Sequence, residues 1–295
     1  MKFLDELALD GKRVLIRVDY NVPLKGETIV DDNRIRQSLP TLRLALDRGA
    51  SLVVCSHLGR PKGSPMPEFS LKPVARRLSE LLGRDVLMAP DCIGPEVRSM
   101  AGSLKPGQVL LLENLRFHPG ETKNDPEFSK ELAALGQVYV NDAFGASHRA
   151  HASVVGVTEF MDECCGGLLL KKEWQYLGEA LKAPERPFVA IIGGAKVSSK
   201  LGILKALMEK VDSMIVGGAM ANTFRKAQGL EVGTSLVEDD LLEEAMGIMV
   251  AAREKGVRFY LPVDFILGTS PAGPVGAGVP VGRSEERRVG KECRS

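Results

Sequence analysis

Short apolar runs alternate with segments of helical periodicity along most of the chain, and this rhythm constrains the fold more than any other feature. In the first half, the apolar runs cover residues 14–18, 51–55, 86–88, 109–112 and 138–140. Between two of these runs, Leu39, Leu42 and Leu46 fall on one face of a helix, as the 3.6-residue period requires. Because strands that alternate with helices build βαβ units, the sequence predicts an α/β fold around a parallel sheet.

The rhythm is interrupted once and then restarts, which predicts a second domain. Residues 171–181 have a helical pattern and are followed by Pro184 and Pro187. We interpret residues 171–184 as an interdomain helix. Beyond it, further apolar runs cover residues 188–192, 211–216 and 257–261. The pattern of a strand, a glycine pair and a helix occurs twice in this half, so a second sheet of the same kind is expected.

The fold class expected from these patterns is α/β, with two Rossmann-like three-layer domains and parallel sheets, the second of them incomplete. We place an N-terminal domain at residues 1–170 and a partial C-terminal domain at residues 185–282. A length of 295 residues fits about two domains. Residues 283–295 have no apolar face and are interpreted as an anomalous tail, either a flexible polar end or a foreign end on a truncated chain.

Composition excludes several classes of function. The chain has 39 Lys and Arg against 38 Asp and Glu, so no overall field attracts nucleic acid or an anionic membrane. No run approaches the ~20 apolar residues of a membrane span, and the first residues lack the apolar core of a secretory signal. The five cysteines are odd in number and form no C-x-x-C pair, which argues against a disulfide framework and a zinc site. We expect a cytoplasmic protein with no metal ligands of its own.

Polar side chains follow the strands of the first half, where parallel sheets bind ligands. The candidates are Asp19, Asn21, Arg34, His57, Arg60, Arg116 and Arg149. We place Arg34 in the loop between the first strand and the first helix. Arginines that converge on one edge would repel one another without an anion, and their planar forks match phosphate and carboxylate. Any one of them could be a solvated surface charge, but the set predicts a small, multiply charged anion as ligand. Asp19 and Asn21 suit a hydroxyl group of that ligand.

Two glycine turns follow strands of the second half and suggest a phosphate site. The residues in question are Gly193, Gly194, Ala195, Lys196, Lys200, Gly217 and Gly218. Glycine lets backbone N–H groups approach an anion, and a following helix N-terminus favours negative charge. Lys196 and Lys200 would lie one helical turn apart. Neither a Walker A loop nor a G-x-G-x-x-G is present, which disfavours a Rossmann dehydrogenase. Tight strand–helix packing without a ligand remains an alternative for the second turn.

Seven sequence blocks occur in order along the chain: RVDYNVP (17–23), SHLGRP (56–61), LLENLRF (111–117), NDAFGASHRAHAS (141–153), IIGGAKVSSK (191–200), VGGAMANTF (216–224) and LPVDF (261–265). Through these blocks the chain resembles phosphoglycerate kinase. The resemblance implies a monomeric glycolytic enzyme of two lobes. One lobe would hold 3-phosphoglycerate or 1,3-bisphosphoglycerate, and the other would hold ATP or ADP with its Mg²⁺.

The resemblance also implies roles for the candidate residues. Asp19 and Asn21 would contact the glycerate. His57, Arg60, Arg116 and Arg149 would form a basic patch with Arg34, which would sit nearest the transferring group. Lys196 and Lys200 would steady the phosphates and complete a catalytic set with Arg34, and the glycines would line the nucleotide site.

The chain departs from the family pattern after residue 265, where family members continue with further strands and an Asp-bearing glycine turn. We expect a C-terminally truncated sequence. Two hypotheses follow: an active phosphoglycerate kinase, or a catalytically incomplete fragment that binds 3-phosphoglycerate only. A turnover assay separates them.

Overall fold

The computed structural model describes residues 2–182, 184–264, 266–268 and 292–294. It divides into two compact units, Met1–Gly178 and Glu179–Ser295. The division falls inside a helix, Leu168–Lys182, which coincides with much of the segment predicted to connect two domains. Within the described ranges, no helix combines the length and the apolar character needed to cross a membrane.

The first unit contains the parallel sheet that the apolar runs predict. Its strands are β1 (Arg13–Arg17), β2 (Leu24–Lys25), β3 (Thr28–Ile29), β4 (Ser51–Cys55), β5 (Val86–Met88), β6 (Val109–Leu111), β7 (Val138–Asn141) and β8 (Cys164–Gly166). The sheet has the order β5-β6-β4-β1-β7-β8, and all its described pairings are parallel. The strands β2 and β3 form a separate hairpin.

Helices cover both faces of this sheet, so the predicted three layers are confirmed. They are α1 (Asn33–Asp47), α2 (Lys72–Leu82), α3 (Pro95–Gly102), α4 (Pro119–Lys123), α5 (Pro126–Ala133) and α6 (Leu168–Lys182). Side chains of β1 alternate between two cores: Val14 and Ile16 pack with Leu42 of α1, while Leu15 packs with Leu132 of α5. A strand that is buried on both faces is apolar along most of its length. This is why β1 could be predicted from the sequence.

The start of α1 corrects one expectation. The helix begins at Asn33, so Arg34 lies in its first turn and not in the preceding loop. The Asp31 carboxylate accepts a hydrogen bond from the Asn33 N–H at 2.8 Å, which fixes the turn before the helix. The prediction used the apolar positions from Leu39 onwards, which mark the buried face of α1 but not its first turn.

The second unit repeats the architecture on a smaller scale. Its strands β9 (Val189–Gly193), β10 (Ser213–Gly217) and β11 (Arg258–Tyr260) form a parallel sheet in the order β11-β10-β9. The helices α7 (Leu201–Met208), α8 (Met220–Ala227) and α9 (Leu242–Glu254) follow the predicted alternation. Met214 and Val216 pack in its core with Phe224.

The opposite face of this second sheet is open to solvent. Ile191 is 78% exposed and Ile215 is 38% exposed, in contrast to the strands β4 and β6 of the first unit, which are buried throughout. Two short strands, β12 (Ile266–Gly268) and β13 (Glu292–Arg294), pair antiparallel. The latter lies in the predicted tail, and the rest of residues 283–295 lie outside the described residues.

Candidate active site

Polar side chains connect the carboxyl ends of β1 and β4. The Asp19 carboxylate accepts a hydrogen bond from the Arg34 guanidinium and another from the Asn21 N–H at 3.1 Å. The Asn21 side-chain oxygen accepts a hydrogen bond from the Gly59 N–H at 2.9 Å. Asp19 and Arg34 line a cavity of about 650 Å³ that also includes Lys172. The predicted candidates Asp19, Asn21 and Arg34 are therefore neighbours.

A cluster of basic side chains lies at the ends of β1, β4 and β6 and in the loop after β7. We call it the basic cluster; its members are Arg17, His57, Arg60, Arg116 and Arg149. His57 Nδ1 lies 3.0 Å from Arg17 Nη2, and Arg116 Nη1 donates to the Gly59 carbonyl at 2.7 Å.

Electrostatics shows that these basic groups act on one another. Burial lowers the pKa of the Arg116 guanidinium, and repulsion by Arg149, Arg17 and Arg60 lowers it further. Arg60 and Arg149 are exposed, whereas Arg17 is almost fully buried. Four of the predicted basic candidates are thus brought together, and Arg34 is joined to them through Asp19 and Asn21.

The charge of His57 can be predicted from its surroundings. Burial lowers the pKa of His57 to about 2, helped by repulsion from Arg17, Arg116 and Arg149. We therefore expect its imidazole to stay neutral between about pH 5 and 8, the range in which an ordinary histidine titrates. The protein has four histidines, so a ¹H–¹⁵N NMR titration can follow each, with His57→Gln identifying the signal. A midpoint near 6.5, the unperturbed value, would contradict this environment.

Arg17 was missed as a site residue by the sequence analysis. Its Nε donates to the Ser153 hydroxyl at 3.2 Å, and its side chain is 1% exposed. A charged residue inside the otherwise apolar run of residues 14–18 was the available signal, because such groups are rarely buried without partners. The sequence analysis treated Arg17 as a strand residue and not as a site residue.

A buried acid beneath the basic cluster was also missed. Glu121 has no exposed surface and accepts hydrogen bonds from the Ser153 N–H at 2.9 Å and the Ser153 hydroxyl at 2.7 Å. Its carboxylate lies 3.6 Å from His151 Nδ1. Burial alone would raise the pKa of Glu121, but hydrogen bonds from His151 and Ser153 and attraction to Arg17 lower it below its usual value. Glu121 is an ionised counter-charge for this cluster.

The two glycine turns of the second unit lie side by side. Gly193 and Gly217 are paired in register on β9 and β10. Gly218 has a φ of +70°, and a Cβ placed on it would lie 2.7 Å from both N and O of Gly194. The Gly194 carbonyl accepts a hydrogen bond from the Met220 N–H at 2.8 Å. Tight packing, the alternative left open by the sequence, is therefore present, and it brings the two turns into contact.

The lysines of the first glycine turn do not lie on a helix. Because α7 begins at Leu201, both Lys196 and Lys200 belong to the turn that precedes it. Lys200 N–H donates to the Val197 carbonyl at 2.8 Å, and the Ser198 hydroxyl donates to Glu238 at 2.6 Å. These two hydrogen bonds hold the segment in a non-helical turn. The prediction that Lys196 and Lys200 lie one helical turn apart is therefore wrong. Lys196 is exposed and Lys200 is half-buried.

The Gly218 backbone gives a second prediction. Gly218→Ala should destabilise the second unit by about 1–3 kcal/mol, because alanine must adopt a left-handed conformation against the Gly194 backbone. Gly217→Ala is the matched control, since a Cβ there meets nothing within 4 Å. Urea denaturation followed by circular dichroism measures both. Equal stability of the two variants would show that the contact between the turns is loose.

These features are typical of one class of protein, the α/β enzymes. A cluster of basic side chains in one unit and paired glycine turns in the other are features that suit phosphoryl transfer. The family model "Phosphoglycerate kinase" matches residues 4–287. The phosphoglycerate kinase of Maridesulfovibrio salexigens is 58% identical over 272 residues, covering 91% of this chain and 69% of the relative. That of Chlorobium luteolum is 55% identical over 292 residues, covering 98% of this chain and 73% of the relative.

Solved structures agree with this assignment. The phosphoglycerate kinase of Coxiella burnetii superposes with a TM-score of 0.82 at 39% identity, covering 99% of this chain and 73% of that one. The enzyme of Pyrococcus horikoshii gives a TM-score of 0.77 at 31% identity, covering 90% of this chain and 68% of that one. The chain therefore belongs to the phosphoglycerate kinase family and is a glycolytic phosphotransferase. The assignment favours the kinase over the binding fragment that the sequence left open.

Proposed function

We propose that the basic cluster, with Asp19 and Asn21, binds 3-phosphoglycerate or 1,3-bisphosphoglycerate, and that Arg34, Lys196 and Lys200 catalyse phosphoryl exchange with ADP or ATP. The observation that carries this proposal is the gathering of Arg60, Arg116 and Arg149 at one sheet edge, beside the neutral imidazole of His57. Mutually repelling cations at a ligand-binding edge are stabilised by a bound polyanion.

Arg116 supplies a specific reason to expect a ligand there. Its Nε is buried and has no hydrogen-bond partner among the described residues. A buried donor without a partner costs about 1–3 kcal/mol, and a phosphate or carboxylate oxygen would satisfy it. Its Nη1 is already held by the Gly59 carbonyl, so the guanidinium is positioned before the ligand arrives.

The chemistry requires little covalent help from the protein. Phosphoryl transfer depends on in-line positioning and on positive charge around the equatorial oxygens. Arg34 offers that charge from the glycerate side, and Lys196 and Lys200 offer it from the nucleotide side. We assign the transferring phosphoryl group to these three cations.

The glycine turns are assigned to the nucleotide phosphates. Gly193, Gly194, Gly217 and Gly218 present backbone with no side chains, and Ala195 keeps the approach open. The turn of residues 193–200 itself contributes two lysines and no carboxylate, and the Glu238 carboxylate that contacts it is held by hydrogen bonds from Ser198. This arrangement fits an anion better than a bare cation. Mg²⁺ is therefore proposed to arrive on ATP or ADP, where it neutralises phosphate charge. No protein ligand is assigned to it.

The remaining proposals concern the whole chain. We propose a cytoplasmic monomer with a glycerate domain at residues 1–170, an interdomain helix at 171–184 and a nucleotide domain at 185–282. Near-balanced charge and the family resemblance support a protein whose partners are small molecules.

A turnover assay on the whole chain tests the proposal. ATP formation from 1,3-bisphosphoglycerate and ADP with Mg²⁺ is the expected result, read with a coupled hexokinase system. Calorimetry with 3-phosphoglycerate reports binding separately. Arg116→Ala should weaken this binding roughly 10–100-fold, the equivalent of one charged hydrogen bond, whereas Arg98→Ala, an exposed arginine paired with Glu131, should not. Binding without turnover would favour the non-catalytic fragment, and wild-type affinity in Arg116→Ala would refute the assigned site.

A further inference from the structure

A second place in the first unit gathers side chains of the kinds that bind metal ions. Among the described residues, ligand atoms of Asp91, Cys92 and His118 all lie within 4.8 Å of one another. None of the three belongs to the basic cluster or to the glycine turns. We propose that they form a binding site for a divalent transition-metal ion of the zinc type.

The three residues are supplied by neighbouring strands. Asp91 and Cys92 follow β5, and His118 follows β6 after a short 3₁₀ turn; β5 and β6 are paired in the sheet. The two loops are tied together, because the Glu113 N–H donates to the Asp91 carbonyl at 3.3 Å. The His118 ring packs against Phe128 with 5.5 Å between centroids. The site therefore rests on fixed backbone, as a preformed metal site must.

The donor set suits zinc and excludes magnesium. Zinc binds thiolate, imidazole and carboxylate at about 2.0–2.3 Å, so its donors lie roughly 3–4 Å apart. A small contraction of the observed cluster would reach that spacing. Magnesium and calcium prefer oxygen ligands alone, so this site is distinct from the Mg²⁺ carried by the nucleotide.

The burial of the cluster permits entry of an ion. Cys92 is fully buried, while the side chains of His118 and Asp91 are 30% and 45% exposed. Three protein ligands leave a fourth position for water, as in open zinc sites. The sequence argued against zinc because it lacks C-x-x-C spacing, but ligands from two separate loops leave no such spacing.

The same atoms also permit a simpler explanation, an ordinary hydrogen bond between a histidine and an aspartate at the surface. Asp91 Oδ1 lies 2.7 Å from His118 Nε2 and accepts a hydrogen bond from the Cys92 N–H at 2.6 Å. A metal ion would replace the contact between imidazole and carboxylate. The two explanations differ in the Cys92 thiol. Without a metal ion, the thiol stays protonated and hydrogen-bonds to Asp91, whereas a zinc-type ion binds it as a thiolate.

Titration of the full chain with CoCl₂ alone distinguishes them. Cobalt occupies zinc sites and gives an intense near-ultraviolet charge-transfer band when a thiolate binds it. We expect saturation at a single equivalent with this band, and its loss when ZnCl₂ displaces the cobalt. Cys92→Ser should abolish the band and weaken binding at least about 10–100-fold, since even outer-shell changes cost that much.

Two further variants complete the test. Cys164→Ser changes another free, half-buried cysteine of the same unit and should leave the band intact. His118→Gln alters a partly exposed side chain and should weaken cobalt binding without unfolding, as checked by circular dichroism. Absence of binding, binding without a thiolate band, or equal spectra for Cys92→Ser and Cys164→Ser would each overturn the proposal.

Discussion

The Arg34→Ala variant should lose about 100- to 1,000-fold in kcat, the cost of one preorganised transition-state donor, with a much smaller loss in affinity for 3-phosphoglycerate. The Arg34 guanidinium is 51% exposed and contacts the Asp19 carboxylate. The arginines of the basic cluster remain to hold the ground-state anion. Because Arg34 is proposed to face the transferring phosphoryl group, its removal should destabilise the transition state, in which charge develops there, more than the bound ground state.

The position of Arg34 in α1 supports this expectation. It is the second residue of the helix, where the helix dipole disfavours a positive charge by about 0.3–1 kcal/mol. Its side chain is too exposed to be needed for packing. Its partner in the structure is Asp19, a residue of the proposed glycerate site, so its removal should affect that site more than the stability of the helix.

Arg36→Ala is the matched control for this experiment. Arg36 lies in the same first turn, is also 51% exposed and pairs with Asp32, which belongs to neither proposed site. We expect its kcat to match the wild type. The coupled assay gives kcat, and calorimetry gives the dissociation constant of 3-phosphoglycerate. Equal losses in both quantities for Arg34→Ala would make the residue a binding cation only.

The fold of the first unit was predictable because the inner strands of its sheet are buried on both faces. An apolar run such as residues 51–55 is easily recognised in the sequence. All five strands predicted for this unit are confirmed. The exceptions have physical reasons. The strand β8 consists of Cys164, Cys165 and Gly166, with little β propensity. The hairpin of β2 and β3 has two residues in each strand, too few for an alternation to be seen.

The candidate site was predictable only where a strand end determines it. His57 and Arg116 lie in the segments that follow the ends of β4 and β6, so the rule for parallel sheets located them. Glu121 and Ser153 are brought beneath the cluster by tertiary folding: Ser153 lies 136 residues from Arg17, which donates to its hydroxyl. No local pattern encodes such a contact. The lysine turn was misjudged for a related reason, since Glu238, 40 residues away, holds Ser198.

Removing the Glu121 carboxylate should cause the largest loss of stability. Glu121→Ala is expected to lower the free energy of unfolding by about 3–5 kcal/mol, the usual cost of leaving a buried charge uncompensated. Arg17 and His151 would lose their nearest acid, and Ser153 would lose the acceptor of both its N–H and its hydroxyl. Urea denaturation at neutral pH measures the loss. Glu159→Ala, which removes an exposed acid of the same unit, should have no measurable effect.

The isosteric Glu121→Gln variant separates charge from shape through its pH dependence. The pKa of Glu121 is lowered in the folded protein, so the carboxylate stabilises the fold fully above its unfolded pKa of about 4.3 and loses this effect as the pH falls through the folded pKa. The stability difference between the wild type and Glu121→Gln should therefore be constant from about pH 6 to 8 and should narrow below about pH 4.3. A difference independent of pH over this whole range would mean that Glu121 acts through its hydrogen bonds to Ser153 alone. In that case Arg17 would be held without help from the negative charge, and the basic cluster would need its anionic ligand all the more.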